Sequence, residues 1–228
     1  MSGRGRIVIT IDGPGASGKG TVARIVAKKL GIRYMDTGSI YRTFALLARE
    51  KGVKPGESEK ISRLLKNCEI LPVCSEDSSY TVTLGGRNVS ADIRTPEISE
   101  NASKFSQVKE VREVLGLIQR AHGENTSIVA EGRDMGTRVF KDADYKFFLT
   151  AEEGERARRR AAELKQEGAG ATLEQTAAEL SSRDRRDSRR KHSPLKPADD
   201  AVIIDTTHLG VDEVVEKILN LVEGWKSF

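Results

Sequence analysis

The run Gly13-Pro14-Gly15-Ala16-Ser17-Gly18-Lys19-Gly20-Thr21 constrains this chain more than any other part of it. The residues before it, Arg6 to Asp12, are mostly apolar and β-branched, which predicts a buried strand. After it Val22, Ile25, Val26 and Leu30 recur at helical spacing, and Gly31 supplies a stop, so a helix is expected over Lys19–Leu30. A glycine-rich turn between strand and helix curls backbone N–H groups around an anion. The positive end of the helix dipole adds to that attraction. Lys19 places a point charge on the β- and γ-phosphates of a nucleoside triphosphate. The general form of such loops has Ser or Thr directly after the lysine. Here Gly20 intervenes, and Thr21 is the candidate for phosphate or Mg²⁺.

The rest of the chain alternates strand and helix. Strands are expected at Arg33–Asp36, Ser127–Glu131, Tyr145–Leu149 and Ala201–Asp205. Helices are expected at Ser39–Glu50, Ser58–Lys66, Val108–His122, Glu152–Glu167, Leu173–Arg190 and Val211–Val222. The simplest arrangement is an α/β fold, a five-stranded parallel sheet flanked by helices. One stretch breaks the pattern. Tyr80, Val82 and Leu84 alternate with Thr81 and Thr83 and run into Gly85-Gly86, which predicts a small β insertion over residues 68–93. All 228 residues form one domain in this reading.

Composition excludes several classes. Apolar residues make up 37% of the chain, too many for a disordered one, and no apolar run is long enough to span a membrane. The two cysteines, Cys68 and Cys74, form no CxxC and no cluster with His, so a reducing cytosol and small buried thiols are expected, without structural zinc. The three histidines, His122, His192 and His208, are scattered and read as structural or surface residues. The base-reading pattern Asn-Lys-x-Asp of GTPase switches is absent.

Arginines fall where strand ends of an open α/β sheet form a ligand crevice. Asp36-Thr37-Gly38-Ser39-Ile40-Tyr41-Arg42 follows the second strand, and Arg133 and Asp134 follow the strand ending near Glu131. Ordinary capped helices and salt-bridged turns would also account for these residues in isolation. The stretch Arg183 to Arg190 is more informative. With Leu173, Ala177 and Leu180 as the buried stripe, Asp187 falls about 20° from Leu180 on a helical wheel, with Arg183 and Arg190 within about 80°. An inward face that turns charged is costly unless it is paired or meets a ligand. Arg156, Arg159 and Arg160 share one side of the preceding helix, and Gly168-Ala169-Gly170 follows it. That suggests a hinged cover over residues 152–170, or else a salt-bridged surface helix. Arginines, one loop lysine and few histidines suit phosphoryl transfer to an acceptor that is already anionic, for which positioning and charge neutralisation suffice.

The segments GPGASGKGT, MDTGSIYR, DIRTPEIS, VREVL, AEGRDMGT and SRDRRDSRRKHSPLKPADDAVIIDTT together resemble the bacterial cytidylate kinases, in order and over nearly the whole chain. The β insertion is similar to the extended acceptor subdomain of the bacterial type, here residues 37–107. The resemblance implies transfer from ATP to CMP or dCMP with Mg²⁺. It implies that Gly13, Pro14, Gly15, Ala16, Ser17, Gly18, Lys19, Gly20 and Thr21 hold ATP, with Thr21 beside the Mg²⁺, and that Arg158 and Arg159 reach ATP from the cover. Asp36, Thr37 and Tyr41 would flank the acceptor, and Arg42, Arg133 and Arg190 would bind its phosphate. Asp187 with Arg183 would contact the sugar, and Ser103, Arg112 and Asp134 would read cytosine. Lys19, Arg133, Arg183 and Arg190 are the expected catalytic set.

A cytosolic monomer is expected, with no nucleic acid or membrane partner. Another small-molecule kinase on the same loop, for adenylate or shikimate, is distinguished by acceptor choice. A nucleic-acid-binding reading rests on the basic balance, 38 Lys+Arg against 34 Asp+Glu. Against it, the basic residues are interleaved with acids, and six Phe, four Tyr and one Trp leave few rings for base stacking.

Overall fold

The computed structural model describes residues 6–74, 79–166, 168 and 170–222. Residues 75–78 of the expected insertion and 167 and 169 of the expected cover lie outside the described residues. In chain order the elements are β1 (Val8–Asp12), α1 (Lys19–Leu30), β2 (Arg33–Asp36), α2 (Thr37–Glu50), α3 (Ser58–Lys66), β3 (Ile70–Cys74), β4 (Tyr80–Leu84), β5 (Arg87–Asn88), α4 (Pro96–Phe105), α5 (Lys109–Gly123), β6 (Ile128–Gly132), β7 (Tyr145–Thr150), α6 (Glu153–Gln166), α7 (Leu173–Ser188), β8 (Val202–Asp205) and α8 (Val211–Val222).

Five strands form one sheet in the order β2-β6-β1-β7-β8, with every pairing parallel. β1 is central and buried along its whole length, as its unbroken apolar character requires. Side chains alternate between two cores. Val8, Met35, Ile128 and Ala130 face α2 to α5 and the small sheet. Ile9, Ile11, Tyr34, Val129 and Phe147 face α1 and α8. In register Asp12 pairs with Gly132, and Asp36 with Glu131. Three strand ends therefore open onto one edge, where the loop Gly13–Thr21 also begins.

The insertion is a separate antiparallel sheet of order β3-β4-β5. Gly85 and Gly86 both have positive φ, 56° and 79°, as a two-residue hairpin loop requires. β3 contains Pro72 and lies at an edge, where a missing N–H is tolerated. Tyr80 of β4 fastens the insertion to the main sheet. Its ring meets Tyr34 edge-on at 5.7 Å, and its hydroxyl donates to the Asp36 carbonyl at 3.0 Å.

Several expected boundaries shift for local reasons. α2 begins at Thr37 rather than Ser39 because the Asp36 carboxylate accepts the Ser39 N–H and caps it. α4 was not expected. Its signals are Thr95, whose hydroxyl accepts the Ile98 N–H, and Pro96 at the first helical position. Phe105 of α4 meets Phe44 of α2 edge-on at 5.3 Å. α7 ends at Ser188, so Arg190 lies past the helix and not on it. The expected buried stripe of α7 also needs correction: Leu173 is 45% exposed, and the buried residues are Thr176 and Asp187. Cys68 and Cys74 are free and half-buried, not fully buried, and burial pushes both thiols up to about 11.

Candidate active site

The loop after β1 is shaped by close approaches. A Cβ on Gly13 would lie 2.1 Å from the Leu149 carbonyl oxygen, so only glycine fits there. Gly18, with φ of 82°, turns the chain into α1, and Gly31, with φ of 68°, ends that helix. Lys19 curls over its own loop and donates to the Pro14 carbonyl at 3.0 Å. Burial and the neighbouring Arg133 bring the Lys19 ammonium down to about 8. The Ser17 hydroxyl is buried without a partner.

A cleft of about 280 Å³ opens above this loop. Gly15, Ala16, Gly18, Lys19, Gly20 and Thr21 line one side, and Asp36, Thr37, Tyr41, Arg42, Ser103, Arg112, Arg133, Asp134, Arg183, Asp187 and Arg190 line the rest. Residues from six separated stretches of sequence thus meet in one space. Gly13, Pro14 and Ser17 do not line it, and neither do Arg158 and Arg159. Arg158 pairs with Glu155 at 2.7 Å in solvent. Arg159 donates to the Thr206 carbonyl at 2.6 Å, and Thr206 in turn reaches the Ser17 carbonyl, so Arg159 sits behind the loop. Arg160 and Glu163 are the residues of α6 that face the cleft.

The cations in the cleft are anchored by carboxylates and by α4. Arg42 Nη2 lies 2.7 Å from Asp36 Oδ2. Arg133 Nε donates to Asp187 Oδ2 at 3.1 Å. Arg190 donates to the Asp187 carbonyl at 3.2 Å and to Ser106 Oγ at 3.1 Å. Burial opposes ionisation of Asp187, yet Arg133, Arg190 and Arg183 hold its carboxyl below the ordinary range. The Arg183 Nε is buried and, like Arg42 Nε and Arg112 Nε, makes no hydrogen bond among the described residues, and burial together with Arg133 lowers the Arg183 guanidinium to about 10. Arg133, Arg183 and Lys19 therefore crowd positive charge into a place with too little negative charge to balance it.

Arg112, Asp134 and Tyr41 come together in another part of the cleft. Arg112 donates to the Asp134 carboxylate, with both side chains buried, and to the Ser106 carbonyl at 3.3 Å. The Arg112 guanidinium lies 5.5 Å from the Tyr41 ring centroid. Thr37 spends its hydroxyl on the Glu131 carbonyl at 2.7 Å. Gly132 stands beside it because a Cβ there would come within 2.6 Å of that hydroxyl.

Four residues of consequence had been read only as parts of strands or charged runs. Glu131 projects from the end of β6 beside Gly20 and Asp36, and burial followed by repulsion from Asp36 raises its carboxyl to about 7. Asp12 is buried beneath the loop and accepts the Met135 and Gly136 N–H groups at 2.9 and 2.8 Å. That contact fixes the single π-turn Met135–Val139 after Asp134. Arg156 and Asp184 pair with each other and grip both sides of Gly15, whose N–H reaches Asp184 at 3.1 Å and whose carbonyl accepts from Arg156 at 3.1 Å. Glu131 was visible within AEGRDMGT as a carboxylate at a strand end. Asp184 carries no signal of its own in the sequence beyond its place in the charged run, about 100° around the helix from Arg183.

Comparison with known proteins agrees with this geometry. The sequence profile of the family described as cytidylate kinase matches residues 9–224. The chain belongs to the cytidylate kinase family. A cytidylate kinase of Nitrosococcus oceani is 44% identical over 218 residues, covering 95% of this chain and 96% of the relative. One from Thermosipho melanesiensis is 46% identical over 215 residues, covering 94% and 96%. A gluconokinase of Sinorhizobium meliloti, 13% identical, superposes with a TM-score of 0.50 over 96% of this chain and 92% of its own, a likeness of fold alone.

Proposed function

We propose that the chain transfers the γ-phosphoryl group of ATP to the phosphate of CMP or dCMP, giving ADP and CDP or dCDP. The observation that carries this reading is the buried, unpartnered Nε of Arg183 beside Arg133, across the cleft from Lys19. Buried cations in excess are stabilised by a multiply charged anion. Two phosphates meeting end to end supply it. The attacking oxygen of the acceptor phosphate is already ionised, so no base need remove a proton. Catalysis then rests on alignment and on neutralising charge as the bond to the β–γ bridging oxygen breaks and the new P–O bond forms.

In this reading Lys19 and the loop amides hold the donor phosphates, and Arg42, Arg133 and Arg190 hold the acceptor phosphate. Arg183 spans the charge that moves between them, and Asp187 meets the sugar hydroxyls. Asp134 accepts from the exocyclic amine of cytosine, while Arg112 and Ser103 meet the remaining polar edge. Mg²⁺ fits the oxygen donors at the mouth, the Thr21 hydroxyl and the Glu131 carboxylate, because this ion is commonly held by one or two carboxylates together with substrate phosphates. When bound, the ion would supply positive charge that offsets that of the donor phosphates. Residues 152–170 act as the cover and 37–107 as the acceptor subdomain, and their closure excludes water. The free thiols of Cys68 and Cys74 support a reducing compartment. Among the described residues no helix is long and apolar enough to cross a membrane.

The test is product identification. The protein is incubated with Mg²⁺, γ-labelled ATP and each of CMP, dCMP, UMP, AMP and GMP, and the diphosphates are separated by chromatography. Label in CDP and dCDP supports the reading. Label only in ADP or GDP, or only in free phosphate, refutes it.

A further inference from the structure

α4 and the residue that ends it reach the cleft through Ser103 and Ser106, and both hydroxyls are held by arginines of α7 or of the turn behind it. Arg190 takes Ser106. Arg186 takes Ser103: its Nε donates to Ser103 Oγ at 3.3 Å. The same guanidinium grips Glu100 with its two other nitrogens, Nη1 to Oε1 at 2.9 Å and Nη2 to Oε2 at 2.5 Å. Glu100 and Ser103 are three residues apart on α4 and therefore share a face, so one planar fork reaches both. Lys104 adds a weaker contact to Glu100 Oε1 at 3.6 Å.

The exposure of the pair separates a stabilising role from a positioning one. The Arg186 and Glu100 side chains are 26% and 45% exposed, so the ion pair contributes little to folding. Ser103, by contrast, is buried and lines the cleft together with Arg112 and Asp134. A hydroxyl has one proton and two lone pairs. Arg186 occupies a lone pair of Ser103, which turns the hydroxyl proton away from the guanidinium. Glu100 holds Arg186 in the plane that makes this possible.

We propose that Arg186 and Glu100 are a positioning pair that orients the Ser103 hydroxyl and so tunes recognition of the acceptor base. The inference rests on the assignment of the Ser103, Arg112 and Asp134 end of the cleft to that base. Arg186 acts through Ser103 and touches neither phosphate, so its loss weakens the acceptor and spares the donor.

Steady-state kinetics on the full chain test this with Arg186→Gln, Glu100→Gln, the double variant, and Arg186→Gln in a Ser103→Ala background. Each single change raises KM for CMP about fivefold, the factor expected of a well-formed, partly exposed ion pair. KM for ATP does not move. The double variant is no worse than the more affected single one, because the two residues act as a unit. In the Ser103→Ala background Arg186→Gln adds nothing further. The proposal is overturned if KM for CMP is unchanged, if KM for ATP rises in step with it, or if the Arg186→Gln effect persists in full without Ser103. Glu100→Gln leaves Arg186 in place and decides the matter if an Arg186 variant fails to fold. A wild-type protein that does not turn over CMP overturns the base assignment together with the pair. Turnover of CMP with unaffected variants overturns the pair alone.

Discussion

Arg133 Nε lies 3.1 Å from Asp187 Oδ2, joining the end of β6 to α7 across the cleft. The two residues are 54 positions apart in sequence, and their contact places Arg133, Arg183 and Arg190 around one carboxylate. Asp187 neutralises part of that charge and leaves the rest for a ligand. The cleft is thus an arrangement of cations with a fixed carboxylate at its centre, which orients them as well as pairing with them.

Asp134→Asn removes the carboxylate expected to accept from the cytosine amine and leaves Arg112 without its buried partner. The ratio of kcat/KM for CMP to that for UMP falls by at least about tenfold, as expected when a buried hydrogen-bonding site loses its match. Initial rates with the two acceptors check it, and an unchanged ratio contradicts the assignment of Asp134.

Arg190→Ala removes a guanidinium whose Nη2 is buried, makes no hydrogen bond among the described residues and lies 3.7 Å from Asp187 Oδ1. We expect kcat/KM for CMP to fall about 100-fold, with kcat carrying most of the loss, since charge on the moving phosphoryl group is the interaction removed. A variant with wild-type kcat/KM would show that Arg190 serves only to brace Ser106.

Glu131 has its carboxyl raised to about 7, by burial first and then by Asp36. At pH 6 it is mostly protonated and at pH 8 mostly ionised, and only the ionised form attracts a cation. Calorimetric titration of MgATP therefore shows tighter binding at pH 8 than at pH 6, corrected for the ionisation of ATP itself. In Glu131→Gln that difference shrinks. Equal pH dependence in the two proteins contradicts a role for Glu131 beside the metal.

Asp12 bears on stability. Burial raises its carboxyl from the ordinary 3.8 to about 7 in the folded protein. Between these values the folded chain keeps a proton that the unfolded chain has released, so the contribution of Asp12 to stability falls as pH rises from 4 to 7 and is flat above. Asp12→Asn cannot titrate. Urea melts at pH 5 and pH 8 show the variant losing less stability over that interval than the wild type. Parallel losses would contradict the buried, raised carboxyl.

Much of the site was legible because its chemistry is local. The loop Gly13–Thr21 concentrates its glycines in one short run, Arg133 and Asp134 directly follow a strand, and Arg42 lies in the helix that follows another, so strand periodicity placed them. Arg183 and Asp187 emerged from their spacing around a helix, whereas Arg190 reaches the cleft from the turn beyond it. α4 is faint in the sequence: Ile98, Ala102 and Phe105 recur at helical spacing, but three apolar residues, one of them alanine, make a short stripe in an otherwise polar segment. The grip of Arg156 and Asp184 on Gly15 was hidden for another reason. It joins residues 28 and 169 positions apart, and nothing in their spacing distinguishes them from a solvated charge run. The same holds for Glu100 and Arg186, which lie on separate helices.

The most direct measurement is the set of kcat/KM values for CMP, dCMP, UMP and AMP with saturating MgATP. The account predicts that both cytidine nucleotides exceed UMP and AMP by at least about tenfold, because a cleft ending in Asp134, Arg112 and Ser103 favours a base that carries an exocyclic amine beside an unprotonated ring nitrogen and is no larger than one ring. Preference for AMP or UMP, or equal use of all four, would contradict it.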